Sequence, residues 1–129
     1  STDLALQQLQ THSFEPALAM IEKDFGKSPL LQARLWQTMA DTLVKLGQYE
    51  AAIEPQQRAL GQRRRLLGAD DTLTLVSLYS RGSLACEMTR YDEGEADLRT
   101  ATTGLRRTLG DDHPETLESI TATAYCLMY

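Results

Sequence analysis

The chain is 129 residues long, and 18 acidic against 13 basic side chains give it a formal net charge of −5. The length fits one domain with a real core, and the acidic balance argues against a nucleic-acid binder, whose affinity depends largely on neutralised phosphates. No apolar run approaches the ~18 residues of a membrane-spanning helix, and no basic-then-apolar signal region opens the chain. We therefore expect no membrane partner.

Helices make up the whole predicted secondary structure, because apolar residues recur three or four positions apart and never alternate with polar ones over a useful length. In chain order, the predicted helices cover about residues 3–11, 14–24, 30–46, 49–66, 72–88 and 91–108, and a last one runs from 114 toward 129. The predicted fold class is all-α.

The ends of these helices carry typical start and stop residues. Ser28 and His113 each precede a proline, which is the arrangement of a capping residue before the first helical position. Glycines follow four of the apolar stretches, where a helix end favours a residue in the left-handed φ region. They are Gly26, Gly47, Gly68 and Gly110.

The sequence repeats with a period of 42 residues. A shift of that length places Tyr49 on Tyr91, and nine of the 19 residues in 59–77 are identical to those in 101–119. Composition alone does not produce that density of identities, so the repeat indicates an architecture in which each unit packs against the next.

Each full repeat consists of two helices, and we expect the repeats to form a single domain. A degenerate N-terminal repeat, two full repeats and a partial repeat cover residues 1–27, 28–68, 69–110 and 111–129. A stack of repeats needs polar units at its ends, and neither end has that character. We therefore expect a segment of a longer solenoid.

Residues of fixed type recur in order along the first full repeat. The order is Trp36-x-x-Met39-Ala40-x-x-Leu43, followed by Gly47-x-Tyr49, Ala52 and Ala59. This order resembles the tetratricopeptide repeat (TPR). The 42-residue spacing and the run from Leu105 to Leu117 are similar to the kinesin light chain type of the repeat, as found in bacterial signalling proteins. The resemblance implies a right-handed α-α superhelix of antiparallel helix pairs and a non-catalytic role in binding proteins.

Small residues mark the predicted contacts between the two helices of a repeat. Ala40, Ala52 and Ala59 allow close approach in the first full repeat, while Trp36 and Leu43 fill the space between its helices. The small positions of the second full repeat are Gly82, Gly94 and Ala101.

The resemblance also implies a concave face, formed by the first helix of each repeat, on which a partner peptide or helix binds. Its predicted residues are Arg34, Gln37, Asp41 and Lys45, then Val76, Tyr79, Ser83 and Glu87, then Glu118, Thr121 and Tyr125. Tyr79, Tyr125 and Arg34 are of the types that often anchor partners. The alternative is that these residues only solvate an unused face or pack against a missing neighbour.

One residue type expected on that face is missing. Similar repeats often grip a peptide backbone with paired asparagines, and this chain contains no asparagine. At the corresponding positions it has the pairs Gln37-Thr38, Tyr79-Ser80 and Thr121-Ala122. A bound peptide must therefore be held by other side chains.

The arginine runs at 63–65 and 106–107 permit two interpretations. One is a patch that binds anions or nucleic acid. The other, which we favour, is local pairing with the aspartates at 70–71 and 111–112, because both sets of charges recur with the repeat and the overall balance is acidic.

No residue pattern indicates catalysis, a metal or a cofactor. Asp111, Asp112 and His113 are adjacent in a loop, where residues rarely converge on one ion, and helix capping explains them. Two cysteines are too few for a disulfide scaffold, so we expect Cys86 and Cys126 to be the reduced thiols of a cytoplasmic protein. They are expected to serve as small buried residues, since a nucleophile needs a base nearby.

The predicted function is a module that binds a peptide or helix of a partner protein, as part of a larger signalling or regulatory protein. The alternative is a structural segment that self-associates through its exposed terminal repeats, stacking with further repeats or with another copy.

Overall fold

A computed structural model describes residues 2–5 and 14–128 of the chain. Residues 2–5 are helical, and the rest of the helix predicted at 3–11, together with His12 and Tyr129, lies outside the described residues. The other helices are α1 (Glu15–Asp24), α2 (Pro29–Lys45), α3 (Tyr49–Leu67), α4 (Thr72–Glu87), α5 (Tyr91–Leu109) and α6 (Pro114–Leu127). The all-α class is confirmed, and most helix ends lie within one residue of their predicted positions.

The chain divides into two compact units, Ser1–Gln62 and Arg63–Tyr129. The division falls inside α3, one turn before that helix ends, whereas the predicted repeats divide in the loops.

A tryptophan lies at the centre of the first unit. Trp36 on α2 is 4 % exposed and packs with Leu18 and Ile21 of α1 and with Ala59 of α3. The Arg58 guanidinium lies over the Trp36 ring, 5.3 Å from its centroid, which adds a cation–π contact to the apolar burial. The predicted role of Trp36 as the filler between two helices is confirmed.

Buried glutamines hold α2 against its neighbours. Gln32 donates to the carbonyl oxygen of Ile21 at 3.1 Å, and Gln62 of α3 donates to the Gln32 Oε1 at 2.7 Å. Further along, Gln37 and Gln56 donate to each other at 2.9 and 3.3 Å. Gln32 thus pairs with Gln62, and Gln37, which comes later on α2, pairs with Gln56, which comes earlier on α3. The two helices are therefore antiparallel, as predicted.

The second unit is built on the close approach of α4 and α5. A Cβ added at Gly82 meets the Leu98 Cγ at 2.8 Å and the Gly94 carbonyl oxygen at 2.9 Å, closer than real Cβ atoms come. On the same pair of helices, Arg81 donates two hydrogen bonds to Asp97 at 2.7 and 2.9 Å. These hydrogen bonds raise the pKa of Arg81. The predicted small positions therefore lie where the helices touch.

Two loops start their helices with equivalent residues. Asp71 caps α4, because its Oδ1 accepts from the Leu73 backbone N–H at 2.9 Å. His113, one period later, caps α6 through its Nδ1, which accepts from the Glu115 backbone N–H at 3.1 Å. The capping role predicted for His113 is thus confirmed, and Ser28, although it is the N-cap of α2, makes no side-chain capping bond among the described residues.

The predicted glycine helix ends are confirmed at three positions and wrong at one. Gly47, Gly68 and Gly110 have φ of 76°, 91° and 89°. Gly26 does not enter the left-handed region, because α1 closes in a tight turn in which the Ser28 N–H donates to the Phe25 carbonyl oxygen at 3.0 Å.

A threonine occupies a position that the repeat assigns to glycine. Thr89 lies one period after Gly47 and has a φ of 63°, and the chain after it closes the helix in the same way. The Gln48 N–H donates to the Leu43 oxygen, and the Arg90 N–H donates to the Ala85 oxygen, both at 2.8 Å. A β-branched residue pays about 1–2 kcal/mol in this region, so Thr89 is strained.

We predict that Thr89→Gly raises the free energy of unfolding by about 0.5–1 kcal/mol, because glycine adopts this φ without steric conflict. Urea denaturation monitored by circular dichroism measures the change. The matched control is Gly47→Thr, which should lower the free energy by a similar amount. A less stable Thr89→Gly variant would show that the left-handed turn carries no strain.

Candidate functional site

The first helices of two successive repeats, α4 and α6, lie side by side in the second unit. The Tyr79 hydroxyl donates to the Glu115 Oε2 at 2.8 Å, and further along a disulfide joins Cys86 to Cys126. The earlier residue of α4 contacts the earlier residue of α6, and the later contacts the later, so the two helices run parallel. Their shared surface is the second unit's part of the predicted concave face.

A cavity of about 250 Å³ opens on this surface. Its lining is Ser83, Cys86, Glu87, Glu118, Thr121, Ala122 and Tyr125. Five of the eleven predicted face residues therefore come together at one place, and we call this cavity with its lining the acidic cavity.

The acidic cavity combines two carboxylates with an aromatic ring. Glu87 and Glu118 belong to its lining, which contains no lysine, arginine or histidine. Glu118 makes no hydrogen bond or ion pair within the described part of the chain, and Tyr125 is 45 % exposed. A cationic side chain is therefore the complementary occupant, with its stem on the ring and its charge near the carboxylates.

Two predicted residues of α4 lie elsewhere on that helix. Tyr79 is half-buried against the cluster of Cys86, Leu98 and Cys126, and its hydroxyl is bonded to Glu115. Val76, also half-buried, is not part of the cavity lining. Tyr79 thus holds α6 in place, which differs from the free anchoring role expected of it.

In the first unit, one predicted face residue is inaccessible. Gln37 is only 5 % exposed, because its amide bonds to Gln56 of α3 and to the Asp41 Oδ1 at 2.9 Å. The expectation that Gln37 lines an open face is therefore wrong. Arg34, Asp41 and Lys45 are exposed on the same helix.

The cysteines correct another expectation. Cys86 and Cys126 form a disulfide with their Cα atoms 5.6 Å apart, so they are not the reduced thiols that we predicted. They are buried, at 6 % and 3 % exposure, as predicted. Spacing hid the pair, because the cysteines are 40 residues apart and the repeat is 42, which places them at non-equivalent positions of α4 and α6.

The arginine runs divide into buried and exposed members. Arg63 is 5 % exposed and donates to the Ser77 Oγ at 2.9 Å, so it is part of the packing. Arg106 pairs with Asp111 at 2.8 Å and lowers the pKa of that carboxyl through their hydrogen bond. Because a lowered pKa favours the folded state only while the carboxyl is ionised, this small contribution disappears as the pH falls through the pKa of the folded Asp111. The predicted local pairing is confirmed for Arg106.

The described residues, 2–5 and 14–128, lack the features of a metal site and of a membrane span. No group of three or more His, Cys, Asp or Glu side chains there is placed to hold a metal ion. Likewise, none of the described helices has the length and apolar character needed to cross a membrane.

Comparison with protein families decides what kind of repeat this is. The tetratricopeptide repeat model matches residues 37–72 and 74–115. The chain belongs to the tetratricopeptide repeat family. The kinesin light chain type of TPR is consistent with the match. A comparison with curated proteins gives no match.

Two members of the acidic cavity were missed as face residues in the sequence, although helical spacing contains the signal. Ala122 lies four residues after Glu118 and three before Tyr125, on the same face of α6. Cys86 lies three residues after Ser83 on α4. Both escaped because the predicted face was carried over by repeat position, and positions 86 and 122 are not equivalent to any position of that face.

We predict that reduction of the TPR disulfide lowers the free energy of unfolding by about 2–4 kcal/mol, since the bond closes a loop of 40 residues. Urea denaturation with and without dithiothreitol measures the loss. Cys126→Ala should show the loss without reductant and should not respond further to dithiothreitol. An unchanged wild-type midpoint in dithiothreitol would contradict the disulfide.

Proposed function

We propose that this TPR segment binds a basic segment of a partner protein in the acidic cavity of the second unit. TPR repeats mediate protein–protein interaction in general. The observation that supports this occupant is the convergence of Glu87, Glu118 and Tyr125 on one cavity without a cation in its lining.

The size of the acidic cavity favours a single side chain. Its volume of about 250 Å³ is below the ~300–1,000 Å³ of pockets for drug-sized ligands. A lysine or arginine of an extended peptide fits this limit, while the Ser83 and Thr121 hydroxyls are available to its backbone. The peptide is then held by hydroxyls and carboxylates, which takes the place of the asparagines that similar repeats use.

We further propose a non-catalytic role within a larger signalling or regulatory protein. The family is generally non-catalytic, and the one cysteine of the cavity lining, Cys86, is bound in the disulfide. Arg34, Asp41 and Lys45 are proposed as separate partner contacts of the first unit. The predicted cytoplasmic location loses the support of reduced thiols, because disulfides persist mainly in oxidising compartments.

An alternative function, self-association, is favoured by one face of α6. On α4, Leu75 and Leu78 are 2 % and 6 % exposed beside α5. One period later on α6, Leu117 and Ile120 are 48 % and 38 % exposed. This face is therefore shaped to receive a helix like α5 from another copy of the chain.

The test of peptide binding uses short labelled peptides that differ only in their central residue, which is arginine, leucine or glutamate. We expect fluorescence anisotropy to show binding of the arginine peptide alone. Glu118→Gln and Glu87→Gln should each weaken it about fivefold, or ~1 kcal/mol, because a charge pair is lost. The control Glu93→Gln removes an exposed carboxylate of the same unit outside the cavity.

Equal binding of all three peptides, or equal weakening by Glu93→Gln, would contradict this function. Sedimentation over a range of concentrations distinguishes the alternative. A mass that rises with concentration and falls back in Ile120→Glu supports self-association, and a constant monomer removes it.

A further inference from the structure

A second cavity, of about 440 Å³, lies on another surface of the second unit. It is bordered by the last turn of α3, the loop that follows, α4 and α5. Its lining is Arg64, Ala69, Asp70, Leu75, Leu78, Arg99, Thr100, Thr103, Gly104 and Arg107. We call it the arginine cavity, and no residue of it belongs to the proposed peptide site.

The lining of the arginine cavity is basic, whereas the chain as a whole is acidic. Three guanidinium groups, from Arg64, Arg99 and Arg107, meet a single carboxylate, that of Asp70. The lining therefore carries a formal charge of about +2 in a protein whose net charge is −5. A local excess of this sign attracts anions and raises their concentration at the cavity.

The partners of these arginines leave their hydrogen-bonding capacity largely unused. Arg107 lies 3.9 Å from Asp70, with both side chains well exposed, and such pairs contribute little. Arg99 pairs with Glu95 one turn away through its Nε, and Arg64 has no hydrogen bond or ion pair within the described ranges. Each guanidinium thus retains donors for a ligand.

The floor of the arginine cavity is apolar. Gly104 has no side chain there, and a Cβ at that position meets the Leu75 Cδ1 at 2.7 Å, so leucine fills the space beside the helix. Thr100, Thr103 and Arg107 share a face of α5 with Gly104, which places hydroxyl and guanidinium donors along one side of the leucine floor.

We propose that the arginine cavity binds a phosphomonoester whose organic part is apolar. A phosphate group offers three strong acceptor oxygens to the three guanidinium groups, whereas a carboxylate offers two. Guanidinium groups bind phosphate oxygens in pairs with strong, charge-assisted hydrogen bonds. The apolar part of the ligand lies on Ala69 and on the aliphatic stems of Arg99 and Arg107, which line the cavity and are exposed. The arginines at 64 and 107, assigned above to local charge balance, thereby gain a binding role.

Helix α5 itself contains a matched control for Arg107. Arg106 is adjacent to Arg107 and carries the same charge, but it bonds to Asp111 at 2.8 Å and is not part of the cavity lining. A variant of Arg106 therefore changes the net charge of the protein by the same amount without changing the site.

The experiment is isothermal titration calorimetry of the oxidised protein at low ionic strength with phenyl phosphate as the probe. Inorganic phosphate and benzoate serve as comparisons, and both should bind at least about fivefold more weakly, since each lacks one part of the expected ligand. A phosphotyrosine peptide distinguishes the two sources of the phosphate group. Binding as tight as that of phenyl phosphate indicates a group carried by a peptide, and absence of binding indicates a small molecule.

Arg64→Gln and Arg107→Gln should each weaken phenyl phosphate about tenfold, and Arg106→Gln by less than about twofold. Thr103→Glu, at an exposed position that should not affect folding, places a carboxylate among the guanidinium groups and should abolish binding. Absence of phenyl phosphate binding, or an equal loss in Arg106→Gln, would overturn the proposal. Equal affinity for inorganic phosphate would show that the apolar surface of the lining takes no part and would overturn the ligand class.

Discussion

The contact of two glycines, Gly82 on α4 and Gly94 on α5, sets the geometry of the second unit. A Cβ at Gly94 would meet the Gly82 carbonyl oxygen at 2.7 Å and would also overlap the Cys86 Sγ. Both obstacles are rigid, because one is backbone and the other belongs to a disulfide. The two helices therefore lie at this distance only while both positions have no side chain.

The two proposed sites depend on that contact in different ways. It brings Cys86 against α5 and leaves its Sγ directed to Cys126, so the disulfide and the Tyr79–Glu115 hydrogen bond fix α6 beside α4. The acidic cavity opens between these two helices. The arginine cavity lies at a second close approach of α5 to α4, where Gly104 of α5 contacts Leu75 of α4. Helix α4 thus contributes residues to both proposed sites, the one for a cation and the one for an anion.

The fold could be predicted from the sequence because its determinants are periodic. Helical spacing, capping residues and the 42-residue repeat of small positions are all local patterns, and they located the helices closely. Residues at equivalent repeat positions make different contacts, however, and the period of the sequence does not predict which contacts each one makes. Gln37 bonds to Gln56 across two helices, whereas Tyr79, one period later, bonds to Glu115. The disulfide was missed for the same reason, since it joins non-equivalent positions.

The most direct test of this account compares two helical glycines. Gly61, inside α3, is exposed, and no described atom lies within 4 Å of a Cβ added there. A Cβ added at Gly94 would overlap neighbouring atoms. Urea denaturation should show that Gly94→Ala lowers the free energy of unfolding by about 1–3 kcal/mol, because the contact is overpacked. Gly61→Ala should raise it by about 0.5–1 kcal/mol through helix propensity. A Gly94→Ala variant as stable as Gly61→Ala would contradict the close contact on which the second unit depends.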